Sequence, residues 1–210
     1  MWGTTSSSRC SSNSGTISLS LIVPLETEIK IRISNVEAAR KQLDALGYSV
    51  RAPRVFESNV IFDTAGGTLR ARGELLRIRR AGDETLVTYK GPSQGGPHKR
   101  REEIETTAAD AGAIEEIFAR LGFEPSFRYE KYRTEYSRHA SPGVVTVDET
   151  PIGDYLEIEG PAQWIDATAS ELGYSPADYI TKSYGTLYLE YCRAHRMEPS
   201  HMVFATSEQR

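Results

Sequence analysis

The sequence predicts an α+β fold in which an antiparallel sheet closes into a β-barrel with helices packed outside. Three observations predict it. Strand-like segments repeat a period-two pattern, one face apolar and the other carrying charges of both signs. Capped helical segments interrupt runs of strands instead of alternating with them one for one, which argues for an antiparallel sheet. The chain has 210 residues, 39% hydrophobic and 26% charged, enough for one sizeable core and too few for two comfortable domains.

The first strand is the clearest. Leu25 to Ile33 reads Leu-Glu-Thr-Glu-Ile-Lys-Ile-Arg-Ile, with Leu25, Ile29, Ile31 and Ile33 on one face and Glu26, Glu28, Lys30 and Arg32 on the other. The habit recurs along the chain. Glu74 to Arg80 sets Arg77 and Arg79 against Leu76 and Ile78, and Thr85 to Lys90 sets Thr88 and Lys90 against Val87 and Tyr89. Arg101 to Thr106 puts Arg101, Glu103 and Glu105 on one face. Phe127 to Tyr136 brings Lys131 and Arg133 into register, Val144 to Glu149 contributes Asp148, and Tyr155 to Gly160 contributes Glu157 and Glu159. About seven strands are legible in this way.

Helices are expected at Asn35 to Leu46, Asp110 to Leu121, Pro161 to Leu172 and Ser183 to His195. Asn35 and Asp110 are good N-caps, and Gly47, Gly122 and Gly173 follow the first three helices as C-terminal stops. Turn chemistry stands at Ala65-Gly66-Gly67, Ala81-Gly82-Asp83 and Pro151-Ile152-Gly153. Residues 1–23 are rich in Ser and Thr and read either as a disordered leader or as sequence upstream of a true start near Val23. Residues 24–198 form the single expected domain, and 199–210 a flexible tail.

Composition excludes several partners. The net charge of -4 is the wrong sign for a phosphate-backbone binder, so no nucleic acid is expected. No apolar run reaches the roughly 18 residues of a membrane helix, so no membrane partner is expected either. Two cysteines, Cys10 and Cys192, are too few for a disulfide framework and fit a reduced cytoplasmic setting. Gly91 to Pro97 lacks the Gly-Lys-Ser/Thr ending of a phosphate loop and reads as a flexible loop. Lys99-Arg100-Arg101 runs straight into acids and reads as a strand start with one functional Arg. His98, His139, His195 and His201 lack metal-ligand spacing and read as surface or loop residues. The Tyr184, Leu187, Tyr188 and Tyr191 stripe has helical spacing and reads as core.

A single charged strand face is usually solvated. Seven strands with the same habit are better explained by a barrel whose polar faces line a lumen. Seven acids (Glu26, Glu28, Glu103, Glu105, Asp148, Glu157, Glu159) and seven bases (Lys30, Arg77, Arg79, Lys90, Arg101, Lys131, Arg133) would then share one interior. Charges removed from bulk water are costly unless paired or bound to a ligand. A polyphosphate held with a hard cation satisfies both signs. Arg and Lys grip phosphate oxygens, and carboxylates hold Mg²⁺ or Mn²⁺.

These residues resemble the CYTH superfamily, which joins class IV adenylate cyclases and thiamine triphosphatases in the triphosphate tunnel metalloenzyme fold. The resemblance rests on Glu26-x-Glu28-x-Lys30, Leu76-Arg77-Ile78-Arg79 and Thr88-Tyr89-Lys90-Gly91-Pro92. It continues through Arg101-Glu102-Glu103, Lys131-Tyr132-Arg133, Val147-Asp148, Leu156-Glu157-Ile158-Glu159-Gly160 and Lys182-Ser183-Tyr184. It implies a tunnel of about eight strands acting as a monomer or homodimer on a small-molecule triphosphate. It also implies metal ligation by Glu26, Glu28, Glu157 and Glu159. Phosphate binding would fall to Arg77, Arg79, Lys90, Arg101, Lys131, Arg133 and Lys182. Lys30 would bind phosphate or help activate water, and Glu103 and Asp148 would serve a second metal or orient the nucleophile. The expected activity is metal-dependent hydrolysis of a phosphoanhydride bond. The alternatives are class IV adenylate cyclase activity on ATP and a non-catalytic polyphosphate-binding module. One departure stands out: many relatives carry Asp-x-Tyr-Phe-Asp where this chain has Asn59-Val60-Ile61-Phe62-Asp63, and no site residue is carried over from that segment.

Overall fold

The computed structural model describes residues 25–205. The expected leader and the end of the expected tail, 206–210, lie outside the described residues. The strands are β1 (Leu25–Ile33), β2 (Ser49–Asp63), β3 (Leu75–Ala81), β4 (Glu84–Lys90), β5 (Lys99–Thr107), β6 (Glu124–Ser137), β7 (Val144–Thr150) and β8 (Gly153–Glu159). The helices are α1 (Val36–Ala45), the short α2 (Thr68–Ala71), α3 (Ala111–Arg120), α4 (Ala162–Glu171) and α5 (Tyr184–His195). All eight strands join one closed antiparallel barrel in the order β1-β5-β4-β3-β2-β6-β7-β8.

Local chemistry sets the helix ends. Asn35, Asp110 and Ser183 cap α1, α3 and α5, each side chain accepting a hydrogen bond from the backbone amide three residues on. Such a cap contributes about 1 kcal/mol. Gly47, Gly122 and Gly173 end α1, α3 and α4 with φ of 79°, 87° and 80°, a region that side-chain-bearing residues rarely enter.

The apolar strand faces point outward and are covered. Ile29, Ile31, Val145, Val147, Leu156 and Ile158 pack under Leu43 of α1 and Ile165 and Ala169 of α4. Val60, Phe62 and Ile78 pack under Ile114 and Phe118 of α3. Each fully buried aliphatic side chain stabilises the fold by roughly 1.5–3 kcal/mol. The third apolar cluster is different. Tyr184, Leu187 and Tyr188 of α5 pack against Tyr129 and Tyr155, which face inward on β6 and β8. Thus α5 stops one end of the lumen, while the end bearing Glu26 opens into a cavity of about 310 Å³.

Two features depart from the sequence reading. The longest strand, β2, escaped the alternation pattern because its register shifts near Val50, Ala52 and Val55. The segment from residue 199, expected as a flexible tail, is docked through residue 205. Met202 is fully buried, its amide donates to the Arg128 carbonyl at 3.0 Å, and its carbonyl accepts from the Glu130 amide at 2.8 Å. Phe204 packs on Tyr132 with ring centroids 5.3 Å apart. Edge pairing with β6 and burial of two large apolar side chains outweigh the segment's polar composition. No helix among the described residues is long and apolar enough to cross a membrane.

Candidate active site in the barrel lumen

Cross-strand register brings the fourteen expected charges together. Residues directly opposite share a face, and the pairs Glu28–Glu159, Lys30–Glu157, Glu26–Arg101, Lys90–Glu103, Thr88–Glu105, Arg77–Thr88 and Arg133–Asp148 run round the barrel. Among the described residues, ion pairs link all of them but Arg101 and Glu159, in two groups. Lys30 Nζ donates to Glu28 at 2.8 Å and lies 3.2 Å from Glu157. Arg133 reaches Glu157 at 3.2 Å and grips Asp148 with two bonds of 2.7 Å. Lys131 donates to Asp148 at 2.9 Å. Arg77 and Arg79 both donate to Glu105, and Lys90 holds Glu26 at 2.6 Å and Glu103 at 3.1 Å.

Lys182 does not join them. It is 53% exposed at its side chain and pairs with Glu190 at 2.7 Å on the outside of α5. The reason is local. Ser183 caps the helix, so Lys182 lies before the first turn and projects away from the lumen, whereas Tyr184 projects into it. Tyr184, read from its spacing as core, donates from its hydroxyl to Asp148 at 2.7 Å. The Lys30 and Lys131 ammoniums stand 5.2 and 5.3 Å from its ring centroid, within cation–π range.

The lumen contains further polar residues. Glu57, on β2, lies 3.5 Å from Lys131 and 3.7 Å from Arg79. Asn59 is 0% exposed, and neither atom of its carboxamide has a hydrogen-bond partner among the described residues. It stands between Arg79 and Tyr129. Lys99 faces inward opposite Glu28 and donates to it at 2.6 Å. Just before it, His98 lies in the loop that leads into β5, as expected, but is buried there and bonded to Asp166 at 2.8 Å.

Burial divides the acids into two kinds. At the mouth, burial and the nearby Glu28 charge push the Glu26 carboxyl up to about 8. Burial and the charges of Glu157 and Glu28 push Glu159 up to about 7. Deeper in, burial is overcome by cations. Lys30 and Arg133 hold Glu157 down at about 2, Lys30 and Lys99 hold Glu28 well below the usual range, and Arg133 and Lys131 depress Asp148. Burial alone would lower the Lys30 pKa, but Glu157 and Glu28 raise it, so Lys30 is an ammonium here.

The raised Glu26 pKa makes stability depend on pH. With a folded pKa near 8 against an ordinary 4.5, the folded protein retains a proton that the unfolded chain releases between those values. Its contribution to stability is therefore greatest at low pH and is lost as pH rises through that window. Glu26→Gln cannot ionise. Relative to wild type in EDTA, its melting temperature is expected to rise from about pH 5 to about pH 8.5, by the equivalent of roughly a few kcal/mol. A pH-independent difference would contradict the raised pKa.

In donor chemistry the mouth and the level just inside it fit a hard divalent cation, since Glu26, Glu103 and Glu159 at the mouth and Glu28 below them all offer carboxylate oxygens. Among the described residues, no three His, Cys, Asp or Glu side chains stand together as a ready cluster for an ion. Glu26 is turned to Lys90, and Glu28 to Lys30 and Lys99.

A closed antiparallel barrel with helices outside and a lumen walled by paired acids and bases defines a tunnel-type β-barrel protein. The CYTH domain family model matches residues 24–184, and the chain belongs to that family. It is 31% identical to the adenylate cyclase CyaB of Aeromonas hydrophila, covering 77% of this chain and 87% of that protein. It is 32% identical to protein MJ0240 of Methanocaldococcus jannaschii over 64% of this chain and 76% of that one. An X-ray structure of a Vibrio parahaemolyticus protein superposes with a TM-score of 0.69 at 20% identity, covering 78% of this chain and 97% of the other.

Proposed function

We propose that the protein is a divalent-metal-dependent triphosphatase that cleaves a phosphoanhydride bond of an inorganic or organic triphosphate inside the barrel. The observation that carries this reading is the continuity of the ionic lining from Glu26 at the mouth to Asp148 against Tyr184 at the stopped end. Such a lining suits a chain of phosphates along its whole length, with any head group toward the open end.

In this reading Glu26, Glu28, Glu157 and Glu159 hold Mg²⁺ or Mn²⁺, with Glu103 beside them. When bound, the metal withdraws charge from the phosphates and makes a water more acidic. The chain's own residues do the rest. Arg77, Arg79 and Lys90 exchange their carboxylate partners for phosphate oxygens, Arg101 adds a guanidinium that donates to the Gly73 and Lys90 carbonyls, and Lys131 and Arg133 bind phosphate through their remaining donors. Lys30, held as an ammonium, acts as a further phosphate ligand. Asp148, fixed by Tyr184, orients Lys131 and Arg133. Water attacks the terminal phosphorus, its bond to the bridging oxygen breaks, and the basic ring stabilises the charge spreading over the phosphoryl oxygens.

One observation favours a second reading. The 31% identity to adenylate cyclase CyaB suggests attack of the ATP 3′-hydroxyl on the α-phosphorus, with pyrophosphate leaving. Both readings use the same metal and phosphate ligands and differ in which phosphorus lies beside the nucleophile. Incubation with Mg²⁺ or Mn²⁺ and either tripolyphosphate or ATP separates them. Release of orthophosphate from tripolyphosphate is the expected result. Cyclic AMP with pyrophosphate would favour the cyclase, and tight binding with no product a polyphosphate-binding module.

A further inference from the structure

One oxygen in the lumen serves two ammoniums. Glu28 Oε1 accepts from Lys30 Nζ at 2.8 Å and from Lys99 Nζ at 2.6 Å. The two lysines are not equivalent. Lys30 also has Glu157 at 3.2 Å, whereas Glu28 is the only acid in ion-pair range of Lys99 among the described residues. Backbone register places Glu28 between two β-strand partners, Lys99 on β5 and Glu159 on β8. Glu159 has no ion pair among the described residues, whereas its neighbour Glu28 holds both ammoniums. A cation shared by Glu28 and Glu159 would have to contend with an ammonium already seated on Glu28. Two like charges on one oxygen repel, and the one with a single partner is the easier to release. A lysine carries its charge on a flexible four-carbon stem, so the head can move without moving the strand.

We propose that Lys99 is a built-in occupant of the cation site, seated on Glu28 in the free protein and transferred to the phosphates when a triphosphate enters. Metal uptake is then conditional on substrate. The free protein binds a divalent cation weakly, and arrival of the polyanion draws the Lys99 ammonium away and exposes Glu28. This inference rests on the reading of Glu28 as a metal ligand, and the experiment separates the two.

The test uses the full chain with one ligand at a time, because metal and tripolyphosphate also bind each other. Mn²⁺ alone is titrated into wild type, Lys99→Met and Lys99→Arg, with bound metal followed by the loss of the free Mn²⁺ EPR signal. Each protein is also titrated calorimetrically with tripolyphosphate in EDTA. Lys99→Met is expected to bind Mn²⁺ about tenfold or more tightly than wild type, a typical size for coupling between sites. It is also expected to bind metal-free tripolyphosphate more weakly, and Lys99→Arg to resemble wild type in both titrations. Glu28→Gln, placed on each background, is expected to remove the Mn²⁺ site.

Equal Mn²⁺ affinity in wild type and Lys99→Met, at a site that Glu28→Gln removes, overturns the inference and leaves the metal reading standing. Unchanged tripolyphosphate affinity in Lys99→Met overturns the transfer. If Lys99→Met shows no Mn²⁺ binding sensitive to Glu28→Gln, the metal reading fails and takes the inference with it. Glu28 keeps Lys30 when Lys99 is replaced, so no buried carboxylate is left bare. Lys99→Gln is measured alongside and read by the same criteria should the methionine variant fail to fold.

Discussion

Alanine at Glu28 is expected to lower triphosphate turnover by roughly 10³-fold or more while leaving the barrel folded. Glu28 is buried and ionised, stands at the junction of β1, β5 and β8, and pairs with two ammoniums. On the proposed reading its removal withdraws a metal ligand, and in any case it alters the placement of two ammoniums at once. Breaking a buried ion pair costs about 3–5 kcal/mol when the surviving charge has no refuge. Here the cost should be smaller, since Lys30 keeps Glu157 and the Lys99 stem can carry its charge toward the mouth. A domain with ~5–15 kcal/mol of stability survives that loss. The measurement is the rate as a function of Mg²⁺ or Mn²⁺ concentration, with far-UV circular dichroism reporting the fold. Turnover that persisted with wild-type metal dependence would remove Glu28 from the metal ligands.

The residues that could be read from the sequence share one property: each lies on a strand where charged or polar side chains alternate with apolar ones around it. Leu25–Ile33 is the extreme case: its charged and apolar residues alternate strictly, and from Glu28 to Ile31 both faces are buried, the charged one in the lumen and the apolar one under the helices. Three groups of residues escaped, each for a physical reason. Glu57 and Asn59 sit on β2, where register shifts break the period and Ile61 takes the next inward position, so no run of charges marks the face. Lys99 lies in the run Lys99-Arg100-Arg101, where three consecutive bases hide which of them faces in. Tyr184 belongs to a helical stripe that is core by every local criterion. Only the tertiary placement of α5 across the barrel end turns its hydroxyl onto Asp148. Lys182 is the converse case, since position in a motif said nothing about the side of the helix cap from which the side chain leaves.

Asp148→Ala is expected to be among the most destabilising single changes in the lumen, by about 3–5 kcal/mol. Asp148 is 0% exposed and accepts four hydrogen bonds, two from Arg133 and one each from Lys131 and Tyr184. Alanine leaves these donors facing a methyl group. Arg133 retains Glu157 at 3.2 Å and Lys131 retains Glu57 at 3.5 Å, which limits the loss but does not replace a bidentate contact. For a domain of this size the melting temperature should fall by roughly 10 °C. Tyr184→Phe removes only a hydrogen bond to a charged group and should cost about 1.5–3 kcal/mol. The two effects should not add, because both act on one carboxylate. The pH dependence distinguishes this account from a simple packing defect. The Asp148 pKa is depressed in the folded state, so the stability it supplies is present above the ordinary carboxylate pKa and is lost as pH falls through the folded value. The gap between wild type and Asp148→Ala should therefore be widest near neutral pH and narrow on acidification. A gap of constant width would mean that the alanine acts through lost volume, and that the charge of Asp148 does not hold Lys131, Arg133 and α5 together.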